Sequence, residues 1–280
     1  MSRRTLIALL VCALAALSSA PAGAAERSSG CGASPPTPPQ TFEVAGQERR
    51  AIVALPQDYR ADRPHALIFA FHGRTSDNAR ARRYFGLEQA ADRPAIHVYP
   101  AGLRDRTARF TWADPGDPPD ALRDFALFDV MLGELTSAYC VNLEAVYVVG
   151  HSLGASFANS LACARAGRIR GAASVAGGIA PSDCSGEVAA LLLHNPRDRA
   201  VPFSEGERAR DALLGQPGDA LASVPHRFAG FECNRYGDKA NPLLWCPHTQ
   251  DHTPQGRFYP HQWPRGAAEA ILTFFATLAG

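Results

Sequence analysis

Residues 145–149, AVYVV, run without a polar break into Gly150-His151-Ser152-Leu153-Gly154, and an Ala- and Leu-rich stretch follows. A short apolar run closed by a glycine predicts a buried strand over 144–149, and residues 152–166 read as a helix. G-x-S-x-G between a strand and a helix is a nucleophile elbow: the serine sits on a strained turn, and the flanking glycines leave the room a side chain would fill. The start of the following helix turns backbone N–H groups toward whatever the serine attacks. A strand apolar on both faces needs neighbours on both edges and cover on both faces, so this one segment already demands a layered α/β fold.

The rest of the chain agrees. Apolar runs at 48–55, 66–71 (ALIFAF), 95–99 (AIHVY), 171–176 and 189–194 (AALLLH) predict strands, and the spacing of apolar residues predicts helices over 120–139, 204–214 and 267–278. Strands alternating with helices predict a mostly parallel sheet covered on both faces, with its chemistry at the carboxyl ends of the strands. Residues 41–280 are expected to form one catalytic domain, preceded by an extended Ser- and Pro-rich segment over 25–40.

Residues 1–24 carry Arg3 and Arg4, an apolar stretch from Leu6 to Leu17, and Ala22-Gly23-Ala24, the pattern of a secretory signal peptide. The apolar stretch is short of the roughly 20 residues a membrane helix needs, and no later run reaches that length. The mature protein is therefore expected outside the cytoplasm and off the membrane. In that compartment Cys31, Cys140, Cys163, Cys184, Cys233 and Cys246 read as disulfides. Cys233 with Cys246 is the pairing favoured by their nearness in one loop-like stretch. With His248 and His252 the same stretch also offers two thiols and two imidazoles to a metal, but the spacing and the oxidising compartment favour no metal. Net charge is +1, with 28 cations against 27 anions, which excludes a strongly basic nucleic-acid binder. Without a P-loop or a G-x-G-x-x-G after a strand, no cofactor is expected.

A serine hydroxyl needs a base, and the base needs an orienting acid. Among the downstream carboxylates only Asp198 closely follows a strongly apolar strand, in LLLHNPRDRAVPF. Among the late histidines His261, in YPHQWP before the final helix, is preferred over His248 and His252. An oxyanion hole needs two backbone donors: the N–H of Leu153 and one from the loop after ALIFAF, for which Arg74 is chosen ahead of Thr75. His72 reads as a structural residue of that loop. Among aromatic residues expected in loops around the site (Tyr99, Trp112, Phe203, Trp245, Tyr259 and Trp263), Trp112 and Trp263 are the candidates to touch substrate.

The segments SSGCG, LIFAFHG, VYPAGL with Trp112 downstream, AYCVNLEAVYVVGHSLGAS, LACARAG, VAGG with SDCSG, the Asp198 segment with VPF, and PHQWP resemble secreted esterases of the feruloyl esterase and polyhydroxybutyrate depolymerase group. The resemblance implies an α/β-hydrolase fold stapled by disulfides and a triad of Ser152, Asp198 and His261. Two departures stand out: His194-Asn195 replaces a His-Gly pair before the acid, and Pro260 replaces a glycine before the histidine. The expected activity is hydrolysis of hydroxycinnamate esters on plant polysaccharide through an acyl-enzyme. A polyhydroxybutyrate depolymerase and then an acetylxylan esterase are the alternatives, and a secreted binding protein on a catalytically dead fold is the non-enzymatic one.

Overall fold

The structure, a computed structural model, describes residues 26–113, 123–180 and 184–279. The signal-peptide expectation therefore lies outside the described residues, as do the first three residues of the helix expected over 120–139 and the first residues of SDCSG.

In chain order the elements are β1 (Thr41–Val44), β2 (Gln47–Ala54), β3 (His65–Phe71), α1 (Asn78–Phe85), α2 (Leu87–Ala90), β4 (Ala95–Pro100), β5 (Leu103–Arg104), β6 (Phe110–Thr111), α3 (Arg123–Ala138), β7 (Val141–His151), α4 (Leu153–Ala164), β8 (Gly171–Val175), β9 (Ala189–His194), α5 (Phe203–Leu214), β10 (Val224–Phe228), β11 (Phe231–Tyr236), β12 (Leu243–Pro247) and α6 (Ala267–Leu278). Ten strands form one sheet in the order β1-β2-β4-β3-β7-β8-β9-β12-β11-β10. The central strands β4, β3, β7, β8, β9 and β12 are parallel, and antiparallel hairpins extend both edges.

The two faces of each central strand go to different cores. On β3, Leu67, Phe69 and Phe71 pack with Phe125 and Phe128 of α3 and Phe157 and Leu161 of α4. The intervening Ile68 and Ala70 pack with Phe85 of α1 and Ile271 and Phe274 of α6. This is the two-residue alternation of a strand buried on both sides.

After β3 the chain moves outward to β4, then returns for β7 on the other side of β3. That reversal leaves a crevice beyond the carboxyl ends of β3 and β7, the switch point where open parallel sheets bind ligands. Residues 72–76 and Ser152 lie at this crevice.

Three disulfides are present: Cys31–Cys140, Cys163–Cys184 and Cys233–Cys246. The third is the expected pair, but not in a loop. Its cysteines face each other across neighbouring strands β11 and β12, with Cα atoms 4.1 Å apart. The strands were hidden because β11 alternates buried Phe231 and Cys233 with Glu232 and Asn234, and because β12 is only five residues long. With the two sulfurs bonded to each other, neither is a thiolate for a metal.

The amino-terminal segment is anchored rather than free: Ser28 N–H donates to Val141 O, Leu143 N–H donates to Glu26 O, and Cys31 joins Cys140. Among the described residues no helix is long and apolar enough to cross a membrane.

Candidate active site

Ser152 sits between β7 and α4 at φ 59° and ψ −126°, in the strained region expected of an elbow. Its N–H donates to Val175 O (2.9 Å), tying the turn to β8. A Cβ on Gly150 would collide with the Gly154 backbone, and one on Gly154 with the carbonyls of Phe71 and His72. Both motif glycines are thus required by backbone packing.

The structure brings Ser152, His261 and Asp198 together. His261 Nε2 lies 2.8 Å from Ser152 Oγ, and its Nδ1 lies 2.6 Å from Asp198 Oδ2. A carboxylate can only accept, so the ring proton resides on Nδ1 and Nε2 keeps the lone pair that the serine O–H can address. Asp198 Oδ1 accepts from the N–H groups of Ala200 (2.8 Å) and Val201 (3.1 Å). Burial pushes the Asp198 carboxyl up, but the hydrogen bond and charge of His261 and the two N–H donors outweigh it and hold the group below the usual carboxylate range. An imidazole so oriented can take a proton from a hydroxyl, and a buried carboxylate can stabilise the cation that results.

Asp198 follows β9 at the end of a turn in which its N–H donates to Asn195 O (3.0 Å), with Pro196 in the second position. Asn195, the departure noted in sequence, braces this turn: its Oδ1 accepts from Arg197 N (2.8 Å) and its Nδ2 donates to Asp251 Oδ1 (2.9 Å). Buried Pro260 leads into His261, whose loop is pinned from two sides. Gln262 Nε2 donates to the carbonyls of Gln250 (2.7 Å) and His252 (2.9 Å), and His151 Nε2 donates to His261 O (3.1 Å). His151 lies in the G-x-S-x-G motif, yet nothing in the motif signals that it would hold the loop of another histidine. Burial, reinforced by repulsion from His261, pushes its pKa down to about 3, so it is neutral.

His248 and His252 do not reach the serine. His248 is buried at the end of β12, with its N–H on His194 O (3.0 Å), and His252 is exposed and bridges to Phe258.

The loop after β3 makes a turn in which Ser76 N–H bonds Gly73 O (3.1 Å). Such a turn closes through its first and last residues and leaves the N–H groups of the two between, Arg74 and Thr75, facing outward. Gly73 approaches so closely that a Cβ there would stand 3.3 Å from Ser152 Cβ. Leu153 opens α4, so its N–H has no partner within the helix. Both proposed oxyanion donors therefore border Ser152.

A cleft of about 1200 Å³ opens over Ser152 and His261. Trp263 lines it, stacked on Phe85 (4.4 Å between ring centroids), and its backbone N–H donates to Tyr84 Oη (2.6 Å). Tyr84 and Phe85 belong to α1, which sequence reasoning missed although Asp77 at its start and left-handed Gly86 at its end are ordinary cap signals. Trp112 is a correction: only 4% exposed, it packs on Phe71 and Phe157 and donates Nε1–H to His72 O (2.8 Å). It supports the β3 loop from beneath instead of lining the cleft. Tyr99 and Trp245 are likewise buried in β4 and β12 because the strands turn them into the core.

The profile of the esterase family matches residues 43–255. The chain is 29% identical to feruloyl esterase D of Neurospora crassa over 90% of each protein. It is 30% identical to the Aspergillus niger protein described as "Probable feruloyl esterase C", over 70% of this chain and 72% of that one. A solved ferulic acid esterase of the anaerobic fungus Anaeromyces mucronatus shares the fold, with a TM-score of 0.55 at 15% identity over 85% of this chain and 89% of that one. With an α/β-hydrolase fold and a family profile spanning most of its length, the chain belongs to the esterase family, beside the feruloyl esterases, and is a carboxylic ester hydrolase.

Proposed function

We propose that this is a secreted serine esterase that cleaves hydroxycinnamate esters on plant polysaccharide. The observation that carries the reading is the hydrogen-bonded series Ser152, His261, Asp198 at the floor of a cleft walled by Tyr84, Phe85 and Trp263. An aromatic wall suits a flat phenolic acyl group, which stacks on rings at little entropic cost. The named activity of the relatives supports the same acyl class. The three disulfides support an oxidising compartment, in line with the signal-like residues 1–24.

In this mechanism His261 Nε2 takes the Ser152 proton as Oγ adds to the ester carbonyl. The N–H groups of Leu153 and Arg74 receive the oxyanion. The imidazolium, steadied by Asp198, protonates the departing alcohol. Water then adds to the acyl-serine, giving its proton to His261, and the carboxylic acid leaves as the serine recovers its own.

Ser152→Ala is expected to lower turnover of methyl ferulate by about a millionfold. Retention of more than a few per cent of wild-type activity would move the nucleophile elsewhere. Comparing methyl ferulate, hydroxybutyrate oligomers and acetylated xylan separates the hydroxycinnamate reading from the polyester and acetyl alternatives. Labelling of Ser152 by an organophosphonate separates all three from a non-catalytic binding protein.

A further inference from the structure

The chain as a whole is close to neutral, but its cleft is not. Arg74, Arg80, Arg257 and Arg265 line it, against a single carboxylate, Glu269. All four residues are exposed, and among the described residues none of their guanidinium groups has a carboxylate oxygen within 4.0 Å; Asp77, the acid nearest Arg74 and Arg80 along the chain, caps α1 through the Arg80 backbone N–H (2.7 Å). Their neighbours are weak ones. Arg80 reaches Thr75 O at 3.4 Å, Arg257 lies 5.7 Å from the Tyr259 ring, and Arg74 is felt by Asp105 only through space.

Elsewhere some arginines are paired, whereas others, Arg83 and Arg235 among them, have no carboxylate oxygen within 4.0 Å of their guanidinium among the described residues. Arg82 grips Glu88, Arg165 grips Asp129 and Arg197 grips Asp251, each within 2.8 Å. Leaving four unpaired around one cleft creates a positive potential over the serine, which attracts anions and raises their local concentration.

The arrangement also says what kind of anion. A site for one carboxylate holds a guanidinium fork rigid by burial and second partners. Here two arginines come from the segment after β3 and two from the loop before α6, and none is buried. A dispersed, exposed ring of charge suits a ligand whose own charges are several and spaced along a chain.

Resting on the ester-hydrolase reading of Ser152, we infer that the natural substrate is an acyl ester borne by a carboxylate-rich polysaccharide, a polyuronate, whose spaced negative charges are drawn by Arg74, Arg80, Arg257 and Arg265. Hydrolysis breaks the acyl carbon–oxygen bond, adds the elements of water, and returns the sugar hydroxyl and the free acid. The uronate carboxylates are recognised and are not themselves changed.

The test uses two trisaccharides that differ only in charge: trigalacturonate and its counterpart with the carboxylates reduced to primary alcohols. Each is prepared as a feruloyl ester and as an acetyl ester at one sugar hydroxyl. At low ionic strength the charged feruloyl ester should show a kcat/KM about tenfold or more above the neutral one. Exposed charges are screened within about 10 Å at 0.1 M salt, so that ratio should shrink toward about 2 by 0.3 M. In the Arg80→Gln, Arg257→Gln, Arg265→Gln protein the ratio should approach 1 at every salt concentration.

A ratio near 1 in the wild type at low salt overturns the inference while leaving ester hydrolysis intact. Should neither feruloyl ester react, the hydroxycinnamate reading fails, and the acetyl pair still reports the charge preference. Should no ester react at all, both readings fall.

Discussion

His151 is one of the residues that pin the loop of His261, and replacing it tests the site without removing a reacting group. Its Nε2–H meets His261 O at 3.1 Å, and the two rings lie 5.0 Å apart. His151→Phe keeps a flat ring of similar breadth but removes the donor, leaving a buried carbonyl without that partner. An unsatisfied buried acceptor costs about 1–3 kcal/mol. For a chain of this length the melting temperature should fall by roughly 2–4 °C for each kcal/mol.

The kinetic effect is separate. Release of the His261 backbone lets the imidazole drift from the serine, and a displacement near 1 Å can cost about a hundredfold. His151→Phe should therefore lower kcat on methyl ferulate by about 10–100-fold with KM little changed. His151→Gln, whose amide N–H can reach the same carbonyl, should recover most of the loss. Because burial holds His151 neutral down to about pH 3, the acid limb of the pH–rate profile should stay where it is in both variants. Measurement of kcat, KM and melting temperature on the three proteins decides the matter. A folded His151→Phe enzyme with kcat within twofold of wild type would refute the positioning argument, whatever its stability.

Asp198→Asn should fold and yet lose about 10⁴-fold in kcat, because an amide no longer fixes the His261 tautomer; retention of a tenth of wild-type turnover would contradict the role given to the carboxylate. His97 and His248, both pushed down to about 4 by burial, should make the fold acid-sensitive early. Their unfolded imidazoles take up protons below about pH 6.5 while the folded ones do not, so stability is full above that pH and falls as pH drops toward 4, by up to about 1.4 kcal/mol per pH unit for each group. Melting temperatures equal at pH 7.5 and pH 5 would contradict this, and His97→Gln should flatten the slope. Arg49 and Asp124 form an ion pair at 2.6 Å with both side chains almost wholly buried, and Asp124 also accepts from Ala113 N (2.7 Å). Asp124→Asn strands a buried guanidinium and should cost about 3–5 kcal/mol in denaturant unfolding, and a loss under 1 kcal/mol would show that water reaches it.

What the sequence disclosed, and what it withheld, follows the range of the interactions. The central strands were legible because each is a continuous apolar run whose two faces are both buried, a property each segment carries by itself. Ser152 was legible for the same reason: the glycines its strained turn requires are its own neighbours in the chain. Asp198 and His261 could be narrowed by asking which carboxylate follows a strand and which histidine precedes the last helix. The aromatic residues could not. Trp112 and Trp263 look alike in sequence, and only the fold shows one driven under the β3 loop and the other stacked on α1 in the cleft. The strands β10 to β12 were misread because Cys233 and Cys246 suggested a loop closed by a bond, whereas the bond staples strands already held by their own ladder. The four cleft arginines stand in a chain where every other cation but Lys239 is also arginine, so nothing local distinguishes them.

Three further histidines explain how the three separate segments are held in register. His72 accepts the Gly102 N–H on Nε2 (3.0 Å), so its proton is on Nδ1, which donates to Gly73 O (2.9 Å) beside the Arg74 turn. His194 donates Nε2–H to Val201 O (3.0 Å), closing the loop whose N–H groups cradle Asp198. His151 does the same for the loop of His261. In each case burial drives the pKa below the usual value for histidine, so all three stay neutral. Neutrality matters for the chemistry. A lysine or arginine could not accept the Gly102 N–H as His72 does, and in place of His151 or His194 it could donate the hydrogen bond only by putting a fixed cation near His261, opposing the charge that ring acquires in the proposed mechanism. A buried imidazole supplies a rigid, directional donor with no charge. The loops bearing the proposed oxyanion donor, acid and base are thus each clamped by a group that leaves Asp198 to set the local field.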